Sequence, residues 1–488
     1  MPDASGLQRP DHLFIDGAWR APQSGRFIDV LNAATEDLFV RVADGDERDI
    51  DLAVEAARTA FDLGPWPRLT HAERADFMMR LAAGIEARSD DFARAWSTES
   101  GVAFRTAKVR AATTMAGFFR FYAEMAKTFA FEEEHVTRIG GRGLLVREPV
   151  GVVGAIVPWN APGGLMTFKT APALLAGCTT VIKASPEAPT AALLFAEVCE
   201  AVGLPAGVVN VVTAGREASE RLVRNPGVDK ITFTGSTSAG RRIAALCGER
   251  IARCTLELGG KSAALILDDA DVEAAAGKMA GQVGYLTGQV CHALTRVVVS
   301  RQRHDQMVDA LAAAFAQLKI GDPFADDTDI GPLSTAQHRT RVEGHIANGV
   351  TDGAQLVAGG SRPAHLPRGY FLEPTVFGRV NNASALAREE VFGPVISVIA
   401  ANDEAHAVAL ANDSPYGLNA SVFTPDPARA YRVARQLRCG TVGHNGSGID
   451  FTIAFGGFKQ SGIGREGGRE GLLPFLETKT IVFDPAAA

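Results

Sequence analysis

From Asp49 to about Ala130, apolar residues recur at spacings of three and four, as in DLAVEAARTAFDL and RLAAGIEARSDDFARAW. That period predicts several helices. Before them, residues 1–50 alternate short apolar runs with Gly, Pro and Asp, which predicts small strands and turns. From residue 151 the pattern changes. GVVGAIVP, CTTVIKAS, VVNVVTA and DKITFTG read as strands, with GLMTFKTAPALLAG, PTAALLFAEVCEAVG and REASERLVRNPG between them as helices. The next helix opens at STSAGRRIAALCGE. Strand and helix in alternation predict an α/β fold with a doubly wound parallel sheet. Such sheets bind ligands beyond the carboxyl ends of their strands. RCTLELGGKSAALIL (253–267) reads as two more strands, and a second run of the same kind occupies roughly 265–440. HVTRIGGRGLLVREPV reads as a short hairpin with its turn at Gly140-Gly141. ETKTIVF (477–483) is a strand with no neighbour in sequence, so it must pair with something distant, such as another subunit.

Length and charge narrow the function classes. The chain has 488 residues, which at roughly 150 per domain suggests about three structural units. A net charge of −7 without a dense block of one sign gives no basic patch, so nucleic acid is not an expected partner. No apolar run reaches about 18 residues, so no membrane span is expected. The N-terminal stretch has no apolar signal region. Six cysteines, none spaced as C-x-x-C, suggest reduced thiols in the cytoplasm. The ten histidines show no ligand spacing, and no metal site is expected.

Some stretches carry candidate chemistry. GQVCHALTR places Cys291 between a glycine turn and His292. By itself this is either a nucleophile or a small buried residue. FTGSTSAG (233–240) follows a strand and opens a helix, where backbone N–H groups favour an anion. Its spacing is not G-x-G-x-x-G, so a plain Ser-capped helix start fits as well. ELGGKS (257–262) sets Glu257 at the end of an apolar strand, a costly place for a carboxylate that is not paired, protonated or used. PWN (158–160), EEVFGPV (389–395) and the Gly-rich FGGFKQSGIGREGG (455–468) are equally unusual for pure structure.

Together and in this order, PWN, FTGS, ELGGKS, GQVC, EEVFGPV and FGGFKQSG resemble the aldehyde dehydrogenase superfamily, from FIDGAWR (14–20) to ETKTI (477–481). The resemblance implies Cys291 as nucleophile, Asn160 as oxyanion donor, Glu257 as general base and Lys169 in a proton relay near Glu257. It implies NAD as cofactor, with NADP as the alternative, held by Trp159, Lys183, Gly235, Ser236, Glu390 and Phe392. It implies a substrate channel near Leu165, Phe168, Tyr285, His292, Phe451 and Phe455. That channel is expected to be aromatic and apolar with His292 its polar exception and no charged residue in place, which favours an aromatic, terpenoid or medium-chain aldehyde. The implied architecture is a nucleotide-binding domain (1–126 and 150–257), a catalytic domain (258–444), a return segment lining the active site (445–474) and an oligomerisation element (127–149 and 475–488). A dimer, or a tetramer made of two dimers, is expected.

The chain departs from the family pattern in three places. Pro186 stands where many NAD-preferring members carry a Glu, with Glu187 one step later. That departure leaves NAD and NADP both open. His292 follows the nucleophile where small or apolar residues are common. Ala454 and His444 replace commoner residues. The rival readings are a CoA-acylating or reductive member of the same fold, a non-catalytic scaffold, and a Cys/His hydrolase. Glu257 speaks for hydrolysis to a free acid, and Cys291, Glu257 and Asn160 together speak against a scaffold.

Overall fold

The computed structural model describes residues 5–138 and 140–484. Residues 1–4, 139 and 485–488, which the expected domain bounds and hairpin include, lie outside the described residues. The predicted strands of 151–257 form the centre of an eight-stranded sheet. Its spatial order is Gly462–Ile463, Arg253–Glu257, Lys230–Thr234, Val152–Ile156, Thr179–Ala184, Val209–Thr213, Leu13–Ile15 and Ala18–Arg20. The five from Arg253–Glu257 to Val209–Thr213 are parallel, and the three short outer strands are antiparallel. Val152–Ile156 and Lys230–Thr234 are buried along their whole length, as helices on both faces of a parallel sheet require.

A second sheet of seven strands runs Gln355–Ala358, Thr375–Gly378, Val395–Ala401, Arg296–Ser300, Ala263–Ile266, Asn419–Phe423 and Thr441–His444. It is parallel except for its first strand. Its central strands are buried between two apolar clusters, one on each face. The short link from Glu257 to Ala263 joins the two sheets, so Glu257 stands where the chain passes from one to the other.

The C-terminal strand finds a distant partner inside the same chain. Leu476–Val482 pairs antiparallel with Arg142–Pro149, which pairs in turn with Glu132–Val136.

Two helical segments shape the site. Pro162–Ala176 is buried through almost all its length and ends at Gly177, whose φ of 96° permits the left-handed C-cap. It carries Leu165, Phe168 and Lys169. Phe104–Arg110 and Gly117–Met125 are joined by a π-type turn at Ala111–Ala116. Such turns often mark functional sites, and this one turns Arg110, Thr113 and Thr114 toward a cavity.

Candidate active site

Cys291 follows a strained loop. Leu286 (φ 54°) and Thr287 (φ 53°) are left-handed, and Gly288 (φ 71°) continues the turn. Each non-glycine residue in that region costs about 1–2 kcal/mol, so the loop persists only because its surroundings hold it. Thr287 Oγ1 donates to the Gly331 carbonyl at 3.0 Å. The Gln289 side chain donates to the Leu286 and Ser100 carbonyls at 3.0 and 3.3 Å and accepts from Ser334 N–H at 3.0 Å. Asn160 Nδ2 donates to the Gln289 carbonyl at 2.9 Å. That bond uses one amide hydrogen and leaves the other for the cavity that Asn160 and Cys291 line together.

This cavity has a volume of about 420 Å³. Leu165, Phe168, Tyr285, His292, Phe451 and Phe455 all line it with Cys291 and Asn160. Phe168 stacks on Phe451 at 4.1 Å, and Phe451 meets Phe455 at 4.8 Å. The His292 ring meets Phe455 edge-on at 6.0 Å. Burial pushes the imidazole down to about 4, so it is neutral near pH 7, and its Nδ1 has no hydrogen-bond partner. The expectation that no charged residue stands in this channel is corrected. Arg110 and Asp450 both line it, with the Arg110 guanidinium 5.6 Å from the Tyr285 ring centre. The helical period of 104–125 concealed Arg110, because the π-type turn changes which side chains share a face.

Glu257, Lys169, Glu390 and Phe392 line neither this cavity nor the polar one described below. Glu257 and Glu390 lie near Cys291, Lys169 lies beside Glu466 and Thr234, and Phe392 lies beside Trp159. The two glycines of ELGGKS let these parts meet. A Cβ on Gly259 would fall 2.3 Å from Glu390 Oε2, and one on Gly260 would fall 2.5 Å from the Cys291 carbonyl. Glu390 Oε1 accepts from Gly260 N–H at 3.1 Å. Burial pushes Glu390 up to about 7. Burial raises the Cys291 thiol, and the Glu390 and Glu257 charges act in the same direction. Both carboxyl oxygens of Glu257 are buried without a hydrogen-bond partner. Burial, then the Glu466 charge, hold this carboxyl well above the usual carboxylate range, while Lys169 opposes them.

Lys169 does not hydrogen-bond to Glu257. Its Nζ donates to Glu466 Oε1 at 2.5 Å and to Thr234 Oγ1 at 2.6 Å, fully enclosed. Glu466 is a residue the sequence reading missed. It lies in the Gly-rich loop quoted there, and the signal was a lone carboxylate at Glu466 amid glycines that return to the core.

A second cavity of about 570 Å³ lies beyond the carboxyl ends of Val152–Ile156, Thr179–Ala184 and Lys230–Thr234. Trp159, Lys183, Gly235 and Ser236 line it, with Pro186, Glu187, Arg216, Val223, Ile243 and Leu246. Burial pushes the Lys183 amine down to about 8. The Ser236 hydroxyl accepts from Ala239 N–H at 3.3 Å, so it caps the helix Thr237–Glu249 as the simpler of the two sequence readings held. The helix N-terminus still faces the cavity. Phe392 meets Trp159 edge-on at 5.5 Å, and its carbonyl is 2.7 Å from His338 Nε2. His444 stands apart from both cavities. Its Nε2 is 2.9 Å from the Thr424 carbonyl, a local loop contact.

All six cysteines are free thiols, and among the described residues no cluster of His, Cys, Asp and Glu could hold a metal ion. No helix among them is long and apolar enough to cross a membrane.

Two largely parallel sheets with helices on their faces, one cavity that ends on Cys291 and a second beyond the strand ends define an α/β fold of the aldehyde dehydrogenase type. The chain belongs to the aldehyde dehydrogenase family, which it matches over residues 19–481. It is 42% identical to geranial dehydrogenase of Castellaniella defragrans over 470 residues, 96% of this chain and 98% of that one. The aldehyde dehydrogenase of Mycobacterium tuberculosis, solved with NAD+, superposes with a TM-score of 0.95 at 42% identity, over 97% of this chain and 98% of that one. Aldehyde dehydrogenase C of Pseudomonas syringae, solved as a cysteine-to-alanine mutant with NAD+ and octanal, gives a TM-score of 0.93 at 38% identity, over 97% and 96%.

Proposed function

We propose that this chain oxidises an apolar aldehyde to the carboxylic acid with NAD as cofactor and NADP as the alternative. One observation carries the reading: an aromatic cavity of about 420 Å³ ends on Cys291 beside the Asn160 amide. Geranial and octanal, the aldehydes named for two relatives, are apolar and of a size such a cavity admits.

The residues divide the chemistry as follows. Cys291 Sγ, once deprotonated, bonds to the carbonyl carbon. The oxygen that becomes negative takes hydrogen bonds from the free Asn160 N–H and the Cys291 backbone N–H. NAD, when bound, supplies the hydride acceptor. The thioester left on Cys291 is hydrolysed by water, whose proton goes to Glu257. A raised Glu257 carboxyl suits that task, since a base works best with a pKa near the operating pH. The retained Glu257 supports hydrolysis over transfer to a thiol such as CoA.

The polar cavity fits a dinucleotide. It offers a helix N-terminus for phosphate, Lys183 and Glu187 for ribose hydroxyls, and Val223, Ile243 and Leu246 as apolar surface for a base. Trp159, Gly235 and Ser236 would border the cofactor, and Glu390 and Phe392 would hold its nicotinamide end. Lys169 would serve the proton path through Glu466. Glu187 disfavours a 2′-phosphate and Arg216 favours one, so both cofactors stand. In this reading 1–126 with 150–257 is the nucleotide-binding domain, 258–444 is catalytic, 445–474 returns over the active site, and 127–149 with 475–488 joins subunits. The outer strand Glu132–Val136, with Val136 exposed, is an edge that a second copy would cover in a dimer or tetramer. Six free thiols fit a cytoplasmic setting.

The test is a panel of short, long and aromatic aldehydes with NAD and NADP, read by reduced-nicotinamide absorbance, with Cys291→Ala as control. Turnover that Cys291→Ala abolishes supports the reading. Turnover that persists in Cys291→Ala, or none with any aldehyde and either cofactor, overturns it.

A further inference from the structure

Cys247 and Cys254 face each other away from both cavities. Cys247 sits in the last turn of the helix Thr237–Glu249, and Cys254 is the second residue of the strand Arg253–Glu257. Between them the chain reverses over Arg250–Ala252, with Ile251 held left-handed at φ 58°. The reversal is pinned: Ala252 and Arg250 N–H both donate to the Cys247 carbonyl, at 2.9 and 3.3 Å. The Arg250 guanidinium is anchored on the Val223 and Val228 carbonyls at 3.0 and 2.5 Å. Both thiols enter one apolar cluster with Ile243, Leu246 and Leu256, close enough for each to bear on the other's ionisation.

No other thiol among the described residues has this setting. Cys178 and Cys439 point at backbone carbonyls, Cys199 is buried, and Cys291 stands at the aldehyde cavity. Cys254 is half-buried and open to small solutes, whereas Cys247 is enclosed. Cys247 beside it and the nearby Lys230 charge lower the Cys254 thiol, against its burial. Thiolate character plus access makes a cysteine oxidisable. Burial does the opposite to Cys291.

We propose that Cys247 and Cys254 form a peroxide-reactive dithiol, a modification site separate from the aldehyde chemistry at Cys291. The Cys254 thiolate attacks one oxygen of a hydroperoxide. The O–O bond breaks, Cys254 becomes a sulfenic acid, and water or an alcohol leaves after taking up a proton. The Cys247 sulfur then attacks the sulfenic sulfur. An S–S bond forms, and the sulfenic hydroxyl leaves as water with the Cys247 proton. Two thiols are oxidised to one disulfide and one peroxide is reduced. A dithiol reductant reverses it. The reversal at Arg250–Ala252 already holds the helix end and the strand start together.

The experiment treats the full-length protein with hydrogen peroxide, blocks the remaining thiols with a maleimide, and digests without reductant. Trypsin cuts after Arg242, Arg250, Arg253 and Lys261, so a disulfide joins peptide 243–250 to peptide 254–261. The expected product has the summed mass less two hydrogens and disappears with dithiothreitol. In Cys247→Ser, a dione probe should trap sulfenic acid at Cys254, while Cys254→Ser should leave Cys247 unoxidised. The proposal is overturned if the wild-type peptides emerge maleimide-labelled after Cys291 has already been oxidised. It is equally overturned if Cys254 goes to sulfinic acid with Cys247 still labelled. The wild-type result stands without either variant.

Discussion

Lys169 Nζ stands 2.5 Å from Glu466 Oε1 in a fully enclosed pair, and the Glu466 charge bears on Glu257, whose carboxyl oxygens have no hydrogen-bond partner. The pair therefore shifts the proton affinity of the proposed base, on top of the larger effect of burial, without a hydrogen bond to it.

Glu466→Gln removes a like charge near Glu257 and frees the Lys169 charge to favour the carboxylate. Both effects lower the Glu257 pKa. The base works ionised, so activity rises with pH through that pKa. The acid limb of the kcat profile should shift to lower pH in Glu466→Gln. Leaving Lys169 buried and unpaired should cost about 3–5 kcal/mol of stability. A profile superimposable on wild type would sever the Glu466–Glu257 link.

Glu257→Gln should cut steady-state turnover by about 10²- to 10⁴-fold, the range for losing a general base. Thioester formation should survive. Rapid mixing should then show a burst of reduced nicotinamide near one per active site, with acylated Cys291 visible by mass. Loss of the burst along with turnover would assign Glu257 to an earlier step.

Asn160→Ala removes the amide donor beside Cys291 and should lower kcat by about 10²- to 10³-fold with a smaller change in KM. It also breaks the bond to the Gln289 carbonyl. Iodoacetamide labelling of Cys291 distinguishes the two effects: an unchanged labelling rate would leave the loop intact and the lost donor as the cause.

His292→Ala widens the cavity next to Cys291, the proposed nucleophile. The ratio of kcat/KM for branched or aromatic aldehydes over straight short ones should rise. The imidazole is neutral through pH 6–8, so the pH profile should not move. Unchanged ratios across the panel would remove His292 from specificity.

Glu99 gives a stability test away from the chemistry. Burial pushes its carboxyl up to about 8 from 4.5, although Thr190 N–H and Oγ1 both donate to its Oε1. Between those values the folded chain holds a proton that the unfolded chain has lost. This group therefore makes stability fall as pH rises from about 4.5 to about 8. Glu99→Gln should flatten that slope and raise Tm most at pH 8. An equal Tm difference at pH 5 and pH 8 would refute the assignment.

The legible parts of the chain were those whose cause is local. Val152–Ile156 and Lys230–Thr234 are apolar throughout because both faces are covered, so their runs announce themselves. Gly259 and Gly260 stood out because a buried carboxylate needed company, and the structure brings Glu390 and the Cys291 carbonyl against them. What stayed hidden depends on distant partners. The register of Leu476–Val482 on Arg142–Pro149 is set by residues some 330 positions away, as in Glu477 opposite Glu148. Glu466 acquires meaning only beside Lys169, and Arg110 only through a helical turn that breaks the usual period.

Gln289 bonds to the end of one early helix at Ser100, to Asn160 after a strand of the first sheet, and to Ser334 in a later loop. No one of these stretches can hold the left-handed loop alone. During synthesis, the thiol leaves the ribosome before Ser334 does. A product cut short between the two would carry Cys291 without the contacts that hold its loop.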